Sequence, residues 1–311
     1  MMQLYSHIEP LLPQGPAGCA VAMGYFDGLH IGHHAVIQTA VDWAAAHDAQ
    51  PALFTFELPR KNDLKGSQLI GATDKHAAIE SMGVTHYIEP QFAEIKDCSP
   101  VDFVDKLIDT LGARALVCGE NFTFGAKAAG NVALLQSLCA ARGVAVLVVP
   151  LAQYQSEPVS STRIRAALAV GDISAVNAML GMPYSIQFEV QHGQGLGKTL
   201  GVPTINQIYP AGFQLPKFGI YITRTQINGT WYPSATGLGT RPTVNKDQAN
   251  ITCETFIPNF TGDLYGTAPV LEFHQYLCES KKFDSLDELK ACIQNAAEVT
   301  LDYFAEYDQG V

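Results

Sequence analysis

The chain has 311 residues, of which 47% are hydrophobic and 16% charged, and its formal net charge is −11. This length favours two domains, and the composition is that of an ordinary globular protein. The negative charge argues against nucleic acid or an anionic membrane as the main partner. No stretch approaches the roughly 20 apolar residues of a membrane span. We therefore expect small-molecule partners, no nucleic acid and no membrane, and composition leaves the oligomeric state open.

The amino terminus and the cysteines bear on location. The first residues, MMQLYSHIEPLLPQ, lack a basic segment followed by an apolar run, so we expect no signal peptide. The seven cysteines are scattered without a CxxC pair, and an odd number cannot all pair internally. Reduced thiols in a cytosol are the plain interpretation, and the predicted location is cytoplasmic.

The first half of the chain alternates between short β-rich runs and helix-like stretches. Strands are predicted at 21–23, 52–56, 86–88, 116–118 and 144–149, and helices at 34–47, 74–82, 100–111 and 132–142. This alternation predicts an α/β domain with a doubly wound parallel sheet covered on both sides. Ligands of such sheets bind beyond the carboxyl ends of the strands.

The pattern changes after a helical segment predicted at 162–180, which Gly181 and Pro183 would end. We place the domain boundary there, which gives domains of residues 1–181 and 182–311. Further strands are predicted at 185–190, 219–227, 230–238, 250–257 and 270–276. The turn Asn228-Gly229 is a hairpin signal. So many short strands predict a small closed antiparallel β-barrel.

A last helix is predicted at 285–306, at the end of the second domain. Its apolar positions are Leu286, Leu289, Ile293, Val299 and Leu301. The predicted second domain is therefore a small antiparallel barrel followed by one terminal helix.

The segment GYFDGLHIGH, residues 24–33, directly follows the first strand of the predicted parallel sheet. Its turn is predicted to contact nucleotide phosphate through Gly24, Phe26, Asp27 and Gly28. A helix begins around His33, and its unpaired N–H groups and dipole favour an anion. His30 and His33 would add donors for charge that develops on phosphate. A metal cluster with His34 and a turn with incidental histidines are the alternatives, and no carboxylate or cysteine spacing supports the metal.

The segment VSSTRIR, residues 159–165, closes the first domain with a second set of polar groups. Ser161 or Thr162 would cap the following helix. Arg163 and Arg165 would present guanidinium groups to phosphate. Helix capping alone would also explain the two hydroxyls.

An HxGH motif and a later S-T-x-x-R motif in one α/β domain resemble the HIGH-type nucleotidylyltransferases. The segment GENFTFG (119–125), with Gly130-Asn131 after it, narrows the match. The domain resembles the FMN adenylyltransferase half of bacterial bifunctional riboflavin kinase/FAD synthetase. The resemblance implies catalytic roles for His30, His33 and Arg165, and nucleotide contacts for Asn121, Ser161, Thr162 and Arg163.

The glycine-rich segment GQGLGKTLG, residues 193–201, supplies the candidate phosphate-binding residues of the second domain. The predicted phosphate contacts are Gly193, Gly195, Gly197, Lys198, Thr199 and Gly201. Glycines let a backbone approach polyphosphate closely, and the spacing is not that of a Walker A loop. The segment runs into Pro203-Thr204-Ile205-Asn206, where Thr204 and Asn206 would point to one side of an extended chain, as Mg²⁺ ligation needs.

The later pieces GTRPT (239–243), GDLYG (262–266) and KKFDSLDELK (281–290) resemble the flavokinase half of the same family. The resemblance implies Mg²⁺ on Thr204 and Asn206, Glu254 as catalytic base, and flavin contacts from Arg241 and Phe283. Without it, Glu254 on a strand reads as a solvated side chain. The implied activities are phosphorylation of riboflavin by ATP, giving FMN, and adenylylation of FMN by a second ATP, giving FAD and pyrophosphate.

Two positions of the first domain depart from the family pattern. Residues 56–60 read FELPR where FEPHP is usual, and Thr123 stands where arginine is common.

Two further interpretations stay open at this point. One is a riboflavin kinase with a weak or inactive adenylyltransferase domain, and the other is a non-catalytic flavin-binding regulator. The retained Glu254 and both histidines speak against the regulator, because a pure binder needs no base.

Overall fold

The computed structural model describes residues 1–11, 18–57, 67–193, 197, 201–241, 250–280 and 285–307. The chain divides into two compact units, Met1–Ser161 and Thr162–Val311. Within the described residues, no helix is long and apolar enough to cross a bilayer.

The first unit is built on a six-stranded, wholly parallel sheet. The strands of the unit are β1 (Gln3–Tyr5), β2 (Cys19–Met23), β3 (Gln50–Phe54), β4 (His86–Ile88), β5 (Ala113–Gly119), β6 (Thr123–Phe124), β7 (Gly130–Asn131), β8 (Ala145–Val149), β9 (Gln153–Tyr154) and β10 (Glu157–Pro158). The sheet order is β1-β4-β3-β2-β5-β8, while β6 with β7 and β9 with β10 form short antiparallel pairs.

Helices connect the parallel strands. They are α1 (Ile31–Ala46), α2 (Ala72–Ser81), α3 (Phe92–Ile95), α4 (Pro100–Asp105) and α5 (Val132–Ala140), with a π-helical turn at Lys106–Thr110 and a 3-10 turn at Ala126–Ala128. Helices α1, α2 and α5 each begin and end within three residues of a predicted helix. The stretch predicted at 100–111 is divided between α4 and the π-helical turn, and the short helix α3 is not among the predicted helices.

The central strand β2 shows why the sheet is covered on both faces. Its five residues are all buried, and successive side chains join different clusters. Cys19, Val21 and Met23 pack into one core and Ala20 and Ala22 into the other, because side chains alternate across a strand. The doubly wound parallel sheet is confirmed, and each of its five predicted strands is present.

The helical segment predicted at 162–180 is two helices, so the single helix is wrong. They are α6 (Ser161–Val170) and α7 (Ile173–Leu180). Gly171 ends the first with a left-handed φ of 81°, and Asp172 caps the second through its Oδ1, which accepts from the N–H of Ala175 at 3.0 Å. The compact division of the chain lies before these helices, upstream of the domain boundary predicted at 181, and that boundary stays a prediction.

The second unit is built on a seven-stranded antiparallel sheet. Its strands are β11 (Tyr184–Gln187), β12 (Val190–Gln191), β13 (Thr204–Ile208), β14 (Gly219–Ile227), β15 (Thr230–Arg241), β16 (Asn250–Phe256) and β17 (Val270–Cys278). The order is β11-β17-β14-β15-β16-β13-β12. The predicted small antiparallel barrel is confirmed in the form of a curled half-barrel. Over the described ranges, its outer strands β11 and β12 do not pair with each other.

A ladder of buried hydroxyls holds β14, β15 and β16 in register. Thr223 Oγ1 lies 2.8 Å from Thr236 Oγ1, which in turn lies 2.9 Å from Thr255 Oγ1. The hairpin predicted between β14 and β15 is confirmed, since Asn228 and Gly229 both have positive φ, 50° and 82°. This part of the sheet therefore has a fixed strand register, which matters because β16 carries Glu254.

The terminal helix α8 (Leu286–Tyr307) is confirmed, and several of its apolar side chains do not pack against the sheet. Leu286, Val299 and Leu301 are exposed. The buried residues of the helix are Ala296, Ala297, Thr300 and Phe304. Small side chains let the helix approach the sheet closely, so apolar size alone did not identify the packed face.

Candidate functional site

The first candidate site lies where β2 ends and α1 begins, at the carboxyl edge of the parallel sheet. The helix begins at Ile31, earlier than the predicted start around His33, and His30 is its N-cap. His30 Nδ1 accepts from the backbone N–H of His33 at 3.3 Å. Phe26 and Gly28 have left-handed φ angles of 51° and 75°. The sharp turn therefore brings His30 to the amino end of the helix, where an anion is favoured.

The two motif histidines form a stacked pair. Their ring centroids lie 3.6 Å apart with planes inclined by 15°, and the edge of Phe26 packs against His33. Burial, with a smaller effect of the charge of His34, lowers the pKa of His30 to about 4. Burial first, and then neighbouring positive charge, holds the pKa of His33 well below its usual value. Both rings are therefore neutral at physiological pH and act as hydrogen-bonding groups.

The metal interpretation of these histidines gains no support. The described residues contain no group of three or more His, Cys, Asp or Glu side chains that could hold a metal ion. His33 Nδ1 is buried and has no hydrogen-bond partner within the described structure. The neutral ring of His33 has one nitrogen that donates a hydrogen bond and one that accepts.

Asp27 is fixed by residues far from it in sequence. The hydroxyl of Ser161 donates to the Asp27 carbonyl at 2.9 Å, and Asp27 Oδ1 accepts from the N–H of Leu69 at 3.4 Å. A Cβ on Gly28 would lie 2.7 Å from Leu69 Cδ1. Ser161 is thus brought to the turn at Asp27-Gly28. It is the first residue of α6, so it lies inside the helix and does not cap it.

Gly24 and Asn121 follow two neighbouring strands, β2 and β5, at the same edge of the sheet. The side chain of Asn121 is exposed, and a Cβ on Gly119 would lie 3.3 Å from its Oδ1. Both residues therefore lie at the ligand edge that the sequence predicts, and their nucleotide contacts stay predictions.

Thr162, Arg163 and Arg165 all lie in α6. Thr162 is exposed and the two arginines are half-buried, and these residues belong to the second compact unit. Their phosphate contacts stay predictions. The departing segment at 58–60 lies outside the described residues, while Thr123 is exposed on β6.

The second candidate site is formed by strand pairing. Asn206 on β13 is the register partner of Glu254 on β16, and Gly237 on β15 is the partner of Glu254 on its other side. Paired residues of antiparallel strands share a face, and Thr204 lies on that face two residues from Asn206. The structure therefore brings together the predicted metal ligands and the predicted base.

The residues of this face differ in exposure. Glu254 is exposed, Thr204 is half-buried and Asn206 is only 7% exposed. Asn206 Oδ1 is buried without a hydrogen-bond partner in the described structure. A buried amide oxygen without a donor is costly, and a Mg²⁺ ion accepts such an oxygen as ligand. The donor set therefore fits the predicted metal.

Two glycines allow the chain before β13 to lie directly against these ligands. A Cβ on Gly193 would lie 2.4 Å from Asn206 Nδ2, and one on Gly197 would lie 2.5 Å from the Val202 carbonyl and 3.3 Å from Thr204 Oγ1. Gly201 is required for a different reason, since its φ is 74°. Gly193 and Gly197 therefore lie directly against Asn206 and Thr204, the candidate metal ligands.

Several predicted contacts lie outside the described residues. They are Gly195, Lys198, Thr199 and Phe283. Arg241 is the last residue of β15, and its side chain also lies outside the described structure. The roles of these residues stay predictions.

Sequence reasoning overlooked Lys75, in the first turn of α2. Its Nζ lies 3.6 Å from Glu89 Oε1, and the side chain is only 13% exposed. Its charge contributes to lowering the pKa of His33. A lysine is rarely buried unless it is paired. The partner of Lys75 is Glu89, which follows β4 and is distant in sequence, so no local pattern identifies the pair.

Two family models match the chain, one over the part that holds each candidate site. The model described as FAD synthetase matches residues 12–163, and the one described as riboflavin kinase matches residues 180–304.

Curated relatives match over nearly the whole chain. The protein from Pseudomonas fluorescens named bifunctional riboflavin kinase/FMN adenylyltransferase is 32% identical and covers 94% of each chain. The protein of the same name from Bacillus subtilis (strain 168) is 29% identical over 96% of this chain and 97% of its own length. The one from Escherichia coli (strain K12) is 28% identical over 97% and 98%.

A solved structure confirms the fold. The crystal structure of a protein titled macrolide-efflux protein from Streptococcus pneumoniae superposes with a TM-score of 0.84, covering 96% of this chain and 98% of its own. Its sequence identity is 24%, so this likeness speaks for the fold alone.

Proposed function

Because the chain belongs to the bifunctional riboflavin kinase/FMN adenylyltransferase family, we propose that its two sites act in sequence on one flavin. The second unit phosphorylates riboflavin with ATP to give FMN. The first unit transfers the adenylyl group of a second ATP to FMN, giving FAD and pyrophosphate. The two sites need different side chains because their nucleophiles differ.

The nucleophile of the kinase reaction is a neutral alcohol, the 5′-hydroxyl of riboflavin. It needs a base in the transition state, and Glu254 takes its proton as the oxygen attacks the γ-phosphorus of ATP and ADP leaves. The exposed carboxylate lies next to Asn206 across the strand pair. Thr204 and Asn206 would hold Mg²⁺, which when bound neutralises charge on the β- and γ-phosphates.

The nucleophile of the adenylyl reaction is the phosphate of FMN, which is already ionised. It attacks the α-phosphorus of ATP without a base, and pyrophosphate leaves. The site instead needs donors for the charge on the transferring phosphoryl group. His30, His33 and the amino end of α1 supply them, and Arg163 and Arg165 are proposed to add charge.

The observation that carries the proposal is the contrast in chemistry between the two sites. On one face of the antiparallel sheet, the carboxylate of Glu254 lies next to Asn206, whose buried amide oxygen has no hydrogen-bond partner among the described residues. The turn after β2 holds a neutral histidine pair at a helix terminus. Each set matches the nucleophile that its reaction uses.

The test is chromatography of the flavins formed with ATP and Mg²⁺, started in parallel from riboflavin and from FMN. FAD in both reactions is the expected result. FMN accumulation without FAD would leave a kinase with an inactive adenylyl domain, and residues 56–60 would be the first suspects. Tight flavin binding without ATP consumption would instead support the regulator.

We also propose the cytoplasm as its location and small molecules as its partners. The seven cysteines are all free thiols, as a reducing compartment allows. The net charge of −11 disfavours nucleic acid.

A further inference from the structure

The segment GDLYG, residues 262–266, lies between β16 and β17 and contains none of the groups assigned to either reaction. Asp263 Oδ1 accepts from the backbone N–H of Tyr265 at 3.0 Å. Gly266 has a left-handed φ of 74°, a conformation that favours glycine. The aspartate and the glycine therefore fix the backbone on both sides of Tyr265.

This turn is attached to β12, the strand that leads into the glycine-rich segment. The N–H of Gly266 donates to the Val190 carbonyl at 3.1 Å, and the N–H of Val190 donates to the Thr267 carbonyl at 2.8 Å. Leu264 and Val190 also belong to one buried cluster. The turn is thus held against β12, and His192 is the next residue of the chain after that strand.

The side chains of Tyr265 and His192 meet in a close ring contact. Their ring centroids lie 3.8 Å apart with planes inclined by 31°. Both side chains are exposed, that of Tyr265 to 51%. Hydrophobic burial stabilises a fold in proportion to the area removed from water, so a ring that is half exposed serves the core only in part. The contact instead links the GDLYG turn to the chain that follows β12.

His192 directly precedes the backbone that lies against a candidate metal ligand of the kinase site. A Cβ on Gly193 would lie 2.4 Å from Asn206 Nδ2, so this backbone and the amide of Asn206 occupy adjacent space. Asn206 Oδ1 has no hydrogen-bond partner within the described structure, so the packing against Gly193 matters for the orientation of the amide. A contact that restrains His192 therefore restrains the position of Asn206.

We infer that Tyr265 is a positioning residue of the kinase site, which acts through its ring contact with His192. The contact fixes the backbone at Gly193 and, with it, the amide of Asn206. In this role Tyr265 touches neither the phosphates nor the metal ion, and the rest of the motif GDLYG holds its ring in place. The inference rests on the proposed function for the meaning of the site, but the position of the Asn206 amide can be measured without turnover.

The first measurement is the side-chain amide signal of Asn206 in the NMR spectrum of the full chain without nucleotide, assigned by its loss in Asn206→Asp. Tyr265→Ala and His192→Ala should each shift or broaden this signal. Tyr265→Phe keeps the ring and should leave the signal at the parent position. Tyr265→Leu keeps apolar bulk without a flat ring and should behave like Tyr265→Ala, so the result does not depend on the folding of one variant. An unchanged signal in both alanine variants would overturn the inference.

Riboflavin phosphorylation gives the functional readout. In Tyr265→Ala the Mg²⁺ concentration for half-maximal rate should rise, and kcat/KM for ATP should fall about tenfold, since a misplacement of about 1 Å can cost up to 10²-fold. The double variant Tyr265→Ala/His192→Ala should lose no more than the more impaired single variant, because the two residues act through one contact. Conversion of supplied FMN to FAD should stay at the parent rate, since the histidine pair lies in the first unit.

Three outcomes of the kinetic comparison would count against one of the two proposals. A lower kcat with an unchanged Mg²⁺ requirement would indicate a loss of folded enzyme and would overturn the inference. Additive losses in the double variant would also overturn it, because Tyr265 would then act independently of His192, for instance by direct contact with ATP. A parent chain that forms no FMN from riboflavin would instead reject the proposed function, with the Asn206 signal still deciding the role of Tyr265.

Discussion

The histidine pair of the first unit and the carboxylate–amide pair of the second unit are assembled in different ways. His30 and His33 lie in one continuous turn and helix start, and a hydrogen bond within that segment links them. Asn206 and Glu254 lie on separate strands and meet only because β13 pairs with β16 in one register. The residues of the first site are close in sequence, and their surroundings lower the pKa values of the two histidines. The residues of the second site are brought together only by the register of the sheet.

This difference predicts where each site is vulnerable. A change in a single side chain should disable one reaction and leave the other as an internal control, because the histidine pair lies in the first unit and the carboxylate–amide pair in the second. A backbone change near β13 should act on the kinase alone. A change in burial or charge near α1 should act on the adenylyl site through the imidazoles.

The largest effect is expected for Glu254→Gln. Loss of the base should lower riboflavin phosphorylation by about 10²–10⁴-fold, while conversion of supplied FMN to FAD stays at the parent rate. Measuring both reactions on the same preparation checks this. Equal loss of both activities would contradict the separation of the sites.

His33→Ala is the converse variant. Removing one donor to the transferring phosphoryl group should lower FAD formation by about 10²–10³-fold, so riboflavin reactions should stop at FMN. His47→Ala, at the exposed carboxyl end of the same helix, serves as a control for the loss of an imidazole elsewhere. FAD production at the parent rate would remove His33 from its proposed role.

Gly193→Ala tests the close approach of backbone to the metal ligand. The new Cβ would lie 2.4 Å from Asn206 Nδ2, so the amide must move from its position beside Glu254. The kcat/KM of the kinase for ATP should fall about 10- to 100-fold, since a misplacement of about 1 Å can cost 10²-fold. FAD formation from FMN is the control. An unaffected kinase would show that the Asn206 position is not critical.

The smallest effect concerns stability and pH. The pKa of His30 is about 4 in the folded chain and about 6.5 when unfolded. As pH falls through this window, only the unfolded state takes up the proton, so stability falls with pH. Between pH 7 and pH 5 the expected loss is about 2 kcal/mol.

Denaturant unfolding followed through Trp43, which lies in α1, measures this loss in the first unit. His30→Asn should reduce the loss by the contribution of His30, because asparagine can cap the helix without titrating. The contribution of His33, whose pKa is also lowered, remains in that variant. The transition reported by Trp231 in the second unit is the control. A pH dependence in His30→Asn equal to that of the parent would assign the acid sensitivity to other groups.

Much of the fold followed from local pattern. Five of the six strands of the parallel sheet and the helix end at Gly181 are predicted from the sequence, because hydrophobic periodicity and Gly signals act over short distances. The edge strand β1 is not among the predicted strands. The break at Gly171-Asp172 was overlooked, since a glycine and a capping aspartate inside an apolar pattern were read as helix. The packed face of α8 contains Ala296 and Ala297, and the apolar positions of the sequence do not identify it because alanine packing depends on the opposing sheet.

The motifs by themselves determined which residues are candidates: the histidines at a helix start, the glycine-rich segment, and the threonine, asparagine and glutamate of the second half. Those are properties of residue type and spacing along the chain. Tertiary structure alone decided that Asn206 faces Glu254, that Ser161 reaches Asp27, and that Lys75 is buried against Glu89. Strand register, burial and the field of distant charges arise only when remote segments pack together, so no local pattern encodes them.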